Sequence, residues 1–220
     1  RFRAQRCLVV MFNKSLRNYV KKTSVDLLTN QLPVETFHSW AVKAMRSLGV
    51  KVSFTTTGEG GLTSLKKSSG IYAALLDYVK TPGPDSLLED LGAFYAESAL
   101  WRRHLGNMPN LDALGRQGRR LSAGDTTEIA FDDAGVLILL GQLRNPGMEL
   151  ADALGWYDHV LVDEAQDLSL VELHALVFAT TQRRSLTVCA DEKQKILDFV
   201  DSAGFSAFQM ELQNAGLSSG

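Results

Sequence analysis

Three short apolar runs, each followed at once by a helical pattern, restrict this chain more than any other feature. They are Cys7–Phe12 (CLVVMF), His159–Val162 (HVLV) and Leu186–Asp191 (LTVCAD). A run that is apolar at successive positions has no polar face to turn to water, so a strand made from it must be covered on both sides. Helices alternating with such strands supply the cover, which is the arrangement of an α/β fold with a parallel sheet. The chain has 220 residues, 45% of them hydrophobic, which is enough apolar material for a sizeable core.

Between the first run and the other two lies Thr36–Leu48 (TFHSWAVKAMRSL). Its Phe37, Trp40, Ala41, Ala44, Met45 and Leu48 recur at helical spacing and leave Ser39, Lys43 and Arg46 outward. Beyond it the composition changes. Residues 50–69 are rich in Gly, Ser and Thr, and Pro82 and Pro84 break the chain again. From about residue 70 to 150 the patterns are mostly helical, as in IYAALLDYV, SLLEDLGAFYAESALWRRHL and VLILLGQL. The expected organisation is an α/β domain built from residues 1–50 and 151–220, interrupted by a mostly helical insertion over 51–150.

No apolar run approaches the roughly 18 residues that a membrane span requires, and no secretory signal opens the chain, so a membrane role is not expected. Cys7 and Cys189 are the two cysteines, both inside apolar runs; they are expected to be buried thiols in a reducing, cytoplasmic setting. The net charge of -2 neither demands nor excludes a polyanionic partner, but its distribution is uneven. Arg102, Arg103, Arg116, Arg119 and Arg120 stand against a single acid, Asp112, between Trp101 and Arg120, and Lys66 and Lys67 form a smaller cluster. Such patches can track phosphates; a solvated face is the simpler expectation.

The chemistry concentrates at HVLVDEAQDL, His159–Leu168. In an open parallel sheet ligands bind beyond the carboxyl ends of the strands, which is where Asp163 and Glu164 fall. Neighbouring strand residues point to opposite sides, so the two carboxylates can take different tasks. One can hold magnesium while the other aligns and deprotonates an attacking water. Ser169-Leu-Val-Glu172 fits a capping box that starts the next helix, but that role leaves Asp163, Glu164 and Gln166 unexplained.

VLVDEAQDLS resembles motif II (Walker B) of the UvrD/Rep-like superfamily 1 DNA helicases. LVVMFNKSL resembles motif Ia, VETFHSW motif Ib, and LTVCADEKQKILDF motif III, all in the family's order. The resemblance implies a RecA-like domain 1A, with the insertion at the place of subdomain 1B. It implies ATP and Mg2+ as cofactors, with Asp163 as the magnesium ligand and Glu164 as the catalytic base. Gln194 would sense the γ-phosphate, and Asp191 and Gln166 would couple that site to DNA. Phe12 and Phe199 match positions that stack on bases of single-stranded DNA. Asn13 lies in the same motif as Phe12, and Thr36 and His38 match positions near the DNA backbone. The partner implied is single-stranded DNA or a single-strand/duplex junction, with a protein partner possible on the insertion.

The pattern departs from the family in two ways. A phosphate-binding loop, G-x-x-x-x-G-K-[ST], is expected ahead of motif Ia, where only six residues precede the first strand. Gly61–Ser68 (GLTSLKKS) imitates that loop but has Lys66 at the second glycine and comes after motifs Ia and Ib, so it reads as a flexible solvated loop. In motif III, Ala190 replaces the usual glycine, Leu197 stands where an aromatic is common, and Val200 and Asp201 occupy the place of Arg-Gly. The expectation is therefore part of an ATP-dependent DNA helicase whose 220 residues alone hydrolyse ATP poorly or not at all. The alternative is a degenerate helicase-like module that binds nucleic acid or protein without hydrolysis.

Overall fold

The computed structural model describes residues 6–23, 32–55, 61–145, 157–177, 179–180, 185–191 and 206–211. Four strands form one parallel sheet: β1 (Cys7–Met11), β2 (Val34–Thr36), β5 (His159–Asp163) and β6 (Leu186–Val188), in the order β2-β1-β5-β6. β1 and β5, the longest, pair in the centre, where Leu8, Val10, Val160 and Val162 are fully buried. Two of the three apolar runs are thus interior strands, as their two-sided hydrophobicity requires; the third, β6, stands at the end of this strand order with Thr187 exposed.

Register fixes what lies at the carboxyl edge. Met11 pairs with Thr36 on one side and with Asp163 on the other, so the ends of β2, β1 and β5 form one row. α1 (Lys14–Thr23) leaves β1 and α2 (Phe37–Ser47) leaves β2 from that edge. Asn13 starts α1 by accepting the Ser15 N–H at 2.8 Å, and Thr36 caps α2 by accepting the Ser39 N–H at 3.2 Å. α2 buries Phe37, Trp40, Ala41, Ala44 and Met45, the face set by its apolar spacing.

After α2 the chain forms β3 (Ser53–Thr55), which pairs in parallel with β4 (Glu128–Ala130) as a separate two-stranded ribbon. A parallel pair cannot be closed by a tight turn and needs a crossover. Here the crossover holds five helices: α3 (Leu62–Lys66), α4 (Ser69–Tyr78), α5 (Leu87–Ala96), α6 (Ser98–Leu105) and α7 (Leu111–Ser122). Gly118 brings α7 against α5: a Cβ there would lie 2.5 Å from Ala96 N and 2.6 Å from Gly92 O, so only glycine permits the approach. α8 (Asp133–Arg144) then returns toward the main sheet, packed against α2, α5 and α9 (Leu170–Val177). Every residue from Asp133 to Gln142 is buried, and the apolar core runs without interruption from the sheet through α8 into α4, α5 and α7.

Two expectations change. Gly61–Ser68 is not a solvated loop: Leu62–Lys66 is helical, and Lys66 and Lys67 are 2% and 6% exposed. Each lysine reaches a buried carboxylate, Lys66 to Asp133 at 2.6 Å and Lys67 to Glu172 at 3.0 Å, so neither contributes to a basic face. Cys7 is half-buried and Cys189 exposed rather than both buried, because β6 ends at Val188 and the thiol of Cys189 falls beyond the covered strand. Among the described residues no helix is long and apolar enough to cross a membrane.

Candidate functional site

The carboxyl edge gathers most of the residues singled out by sequence. Asp163 ends β5 and is half-buried; its Oδ1 accepts the N–H of Glu164 at 3.1 Å. Glu164 adopts φ 55° and ψ 41°, the left-handed region that costs a side-chain-bearing residue roughly 1–2 kcal/mol. That turn reverses the chain directly after the strand and opens a short 3-10 segment, Ala165–Asp167. Strain of this kind persists only where the surroundings hold it, which is common at functional turns.

What holds it is the end of β6. Cys189 N–H donates to Val162 C=O at 2.8 Å, and Ala165 N–H donates to Cys189 C=O at 3.0 Å, so one residue staples both sides of the turn. Gln166, 4% exposed, completes the link. Its Nε2 donates to the Glu164 carboxylate, and its Oε1 accepts the Asp191 N–H at 3.0 Å. Asp167 is fully buried beneath the turn.

The turn is anchored below by α9. Ser169 N–H donates to Glu172 Oε2 at 2.8 Å and Glu172 N–H donates to Ser169 Oγ at 3.3 Å, the reciprocal pairing of a capping box. Glu172 also takes Lys67 Nζ on both oxygens, at 3.1 and 3.0 Å. Burial alone would raise this carboxyl, but Lys67, the Ser169 N–H and His38 outweigh it and hold it below its ordinary value. Asp133 is the counterpart on the other side of α3: besides Lys66 it accepts Tyr95 Oη at 2.8 Å, Gln117 Nε2 at 2.9 Å and Ala130 N–H at 2.8 Å. Two adjacent lysines therefore tie α3 both to the acidic turn and to the end of β4.

Asp163 and Glu164 each keep one carboxylate oxygen without a hydrogen-bond partner among the described residues. Hard oxygen donors side by side at a strand end suit magnesium, which takes one or two protein carboxylates and completes its shell from phosphates and water. These two carboxylates therefore fit a magnesium ion.

Phe12 and Asn13 lie just past β1, and Thr36 and His38 at and just past the end of β2, on the same edge as Asp163. Phe12 is half-buried and packs on the core, while the oxygens of Asn13 and Thr36 that face α1 and α2 already serve as caps. His38 is half-buried, and burial holds its imidazole below the ordinary 6.5, opposed by Glu172 and Asp132 and reinforced by Lys67. Gln194 and Phe199 lie outside the described residues.

One aromatic was missed by sequence. Phe131, directly after β4, is 39% exposed, stacks on Phe54 with centroids 4.6 Å apart, and meets the His38 ring edge-on at 5.5 Å. Its signal was an aromatic at a strand-to-helix junction, the same placement as Phe12 after β1.

Fold and turn together define an α/β protein whose parallel sheet carries an acidic, strained loop at its carboxyl edge. Residues 120–211 match the family model of the UvrD/REP helicase N-terminal domain. That stretch holds Asp163, Glu164, Gln166 and Asp191, and it is UvrD/Rep-like as the acidic motif implied. No curated protein matches the chain.

Proposed function

We propose that this chain is part of an ATP-dependent DNA translocase, comprising segments of a RecA-like domain 1A (1–50 and 151–220) and a 1B-like insertion (51–150). The observation that carries the reading is the bridge from Glu164 through Gln166 to the Asp191 backbone, set beside Asp163 on the row of strand ends. Asp163 would hold magnesium through its open oxygen. Glu164 would accept the proton of an attacking water at its free carboxylate oxygen, its orientation fixed by Gln166 Nε2. Bound ATP and Mg2+ supply the phosphorus centre and the charge neutralisation that carry most of the rate of phosphoryl transfer.

Because Gln166 touches both Glu164 and the segment leading to Gln194, a shift at Asp191 is felt at the base. Phe12, His38 and Phe131 form the side facing nucleic acid, with Phe131 offering a ring face for sequence-tolerant base stacking. Asn13, Thr36 and Phe199 belong to the same side in this reading.

The test is single-stranded-DNA-stimulated ATP hydrolysis by the intact gene product, compared with Glu164→Gln. Stimulated turnover lost in the variant, with DNA binding retained, supports the proposal; turnover unaffected by Glu164→Gln overturns it. A second reading, a nucleic-acid-binding module without hydrolysis, is favoured by one observation: Lys67, the lysine at the loop-like position, is committed to Glu172 and cannot serve a phosphate. DNA binding by the intact product with no ATP turnover would select it.

A further inference from the structure

The ribbon of β3 and β4 has one closed edge and one open edge. Ser53 N–H donates to Thr127 C=O at 3.1 Å, and the parallel register sets Ser53 beside Glu128 and Thr55 beside Ala130. Alternate residues of a strand direct their main-chain groups to opposite sides. Those of Ser53 and Thr55 therefore face β4 and those of Phe54 face away. On β4 the outward donors are taken: Glu128 N–H donates to Thr126 Oγ1 at 3.0 Å and Ala130 N–H to Asp133 Oδ2 at 2.8 Å. The outward N–H and C=O of Phe54 have no hydrogen-bond partner among the described residues. An open strand edge of this kind is a template for one more strand.

The same strand lines a groove. Between α2 and the stretch from Val50 to Phe54 lies a space of about 500 Å3. Its floor is apolar: Val42 and Met45 from α2, with Val50 and Val52 from the run into β3. Its charged residues are Arg46 and Lys51, both exposed, and no acidic residue lines it among those described.

We propose that β3 and this groove receive an extended segment of a partner protein, one that alternates acidic and apolar residues and pairs with the open edge of β3. Bonding to the Phe54 main chain sets the register of such a segment. Its successive side chains point to opposite faces, so one set reaches the apolar floor and the other stands beside Arg46 and Lys51. The stretch from Val50 to Phe54 spans about 17 Å when extended, which matches a segment of about five residues. The charge selects an acidic partner over a second copy of this chain, because pairing β3 with β3 brings two sets of Arg46 and Lys51 together with no acid on the lining to offset them. Nucleic acid is the poorer occupant. Its phosphates gain nothing from an apolar floor, and it has no regular series of amides and carbonyls to match a strand edge. The proposal does not depend on ATP hydrolysis.

The test is the anisotropy of a fluorescein-labelled seven-residue peptide alternating glutamate and valine, titrated with the intact gene product. Two further peptides serve as comparators. One carries lysine in place of glutamate; the other is N-methylated throughout, which keeps the side chains and removes the main-chain donors. Arg46→Glu/Lys51→Glu reverses the charge of the groove at two exposed positions, and circular dichroism confirms its fold. The glutamate peptide should bind the parent at least tenfold more tightly than the lysine peptide, and the variant should reverse that preference. N-methylation should cost at least tenfold, and the glutamate peptide should slow hydrogen exchange at the Phe54 amide. No binding of the glutamate peptide, or a preference unchanged in the variant, overturns the groove as the site. Equal binding of the N-methylated peptide overturns strand addition. Displacement of the peptide by single-stranded oligothymidine at a lower concentration than by unlabelled peptide overturns a protein occupant. A dimer of the gene product that the peptide dissolves assigns the edge to a second copy and overturns the partner.

Discussion

Replacing Lys67 by Met removes one charge and leaves the apolar stem nearly intact, which isolates the electrostatic part of the Lys67–Glu172 pair. The two side chains are 6% and 3% exposed, and the ammonium meets both carboxylate oxygens, at 3.1 and 3.0 Å. Without it Glu172 keeps the Ser169 N–H and Oγ as donors but no adjacent cation, and the burial that Lys67 now outweighs becomes dominant. Breaking a buried pair from one side costs about 3–5 kcal/mol, which in a chain of this length lowers the melting temperature by about 6–20 °C. The assay is urea unfolding followed by far-UV circular dichroism at pH 7, run alongside Lys67→Met/Glu172→Gln. Glutamine can still complete the capping box and carries no charge, so the double variant should recover about 2 kcal/mol of the loss. A pH series adds a second signature. The folded carboxyl of the parent lies below 4.5, so its contribution is present above that pH and lost as pH falls through the folded value. In Lys67→Met the carboxyl lies above 4.5, so the gap between the two proteins closes under acid. A single-variant loss under about 1 kcal/mol, or a double variant no better than the single, would refute the reasoning.

Glu164→Gly should raise stability by about 1 kcal/mol in a thermal melt, since glycine adopts the left-handed turn without strain, while abolishing stimulated ATP hydrolysis by the intact protein. The glycines of α7 should respond oppositely to alanine: Gly118→Ala, which drives a Cβ into the α5 backbone, should lose about 1–3 kcal/mol. Gly115→Ala, which meets no close atom, should be neutral or gain up to about 1 kcal/mol by urea midpoint. His38 is held below 6.5 by burial, so the unfolded chain takes up the proton first. Stability should therefore decline as pH falls from 6.5 through the folded value, and His38→Gln should flatten that part of the pH–stability curve. With a thiol-specific reagent, exposed Cys189 should react well before half-buried Cys7 under native conditions.

The parallel sheet was legible because its central strands carry a pattern that only two-sided burial explains. β2, β3 and β4 were not, since three residues are too few to establish a period. The helix from Phe37 to Ser47 followed from its apolar spacing, and the Ser169–Glu172 capping box from its residue types. Lys66 and Lys67 were misread because what decides their environment is remote: Glu172 stands 105 positions beyond Lys67. Nothing local distinguishes a lysine that finds a buried carboxylate from one that finds water. The acidic turn could be located from sequence, but the left-handed conformation of Glu164 and its clasp by Gln166 and Cys189 depend on where β6 ends. Phe131 escaped because an isolated aromatic between strand and helix most often joins the core.

The burial of α8 on every side has a consequence for synthesis. Its packing partners come from both directions along the chain: α2 and α5 before it, α9 after it. When α8 leaves the ribosome, α2 and α5 are available to cover part of its surface, but α9 is still to be made. Until Val177 has emerged, the helix carries an uncovered apolar stripe that invites other nascent chains. Closure of the core thus waits on translation of α9, and a pause before it prolongs the interval in which that stripe is uncovered.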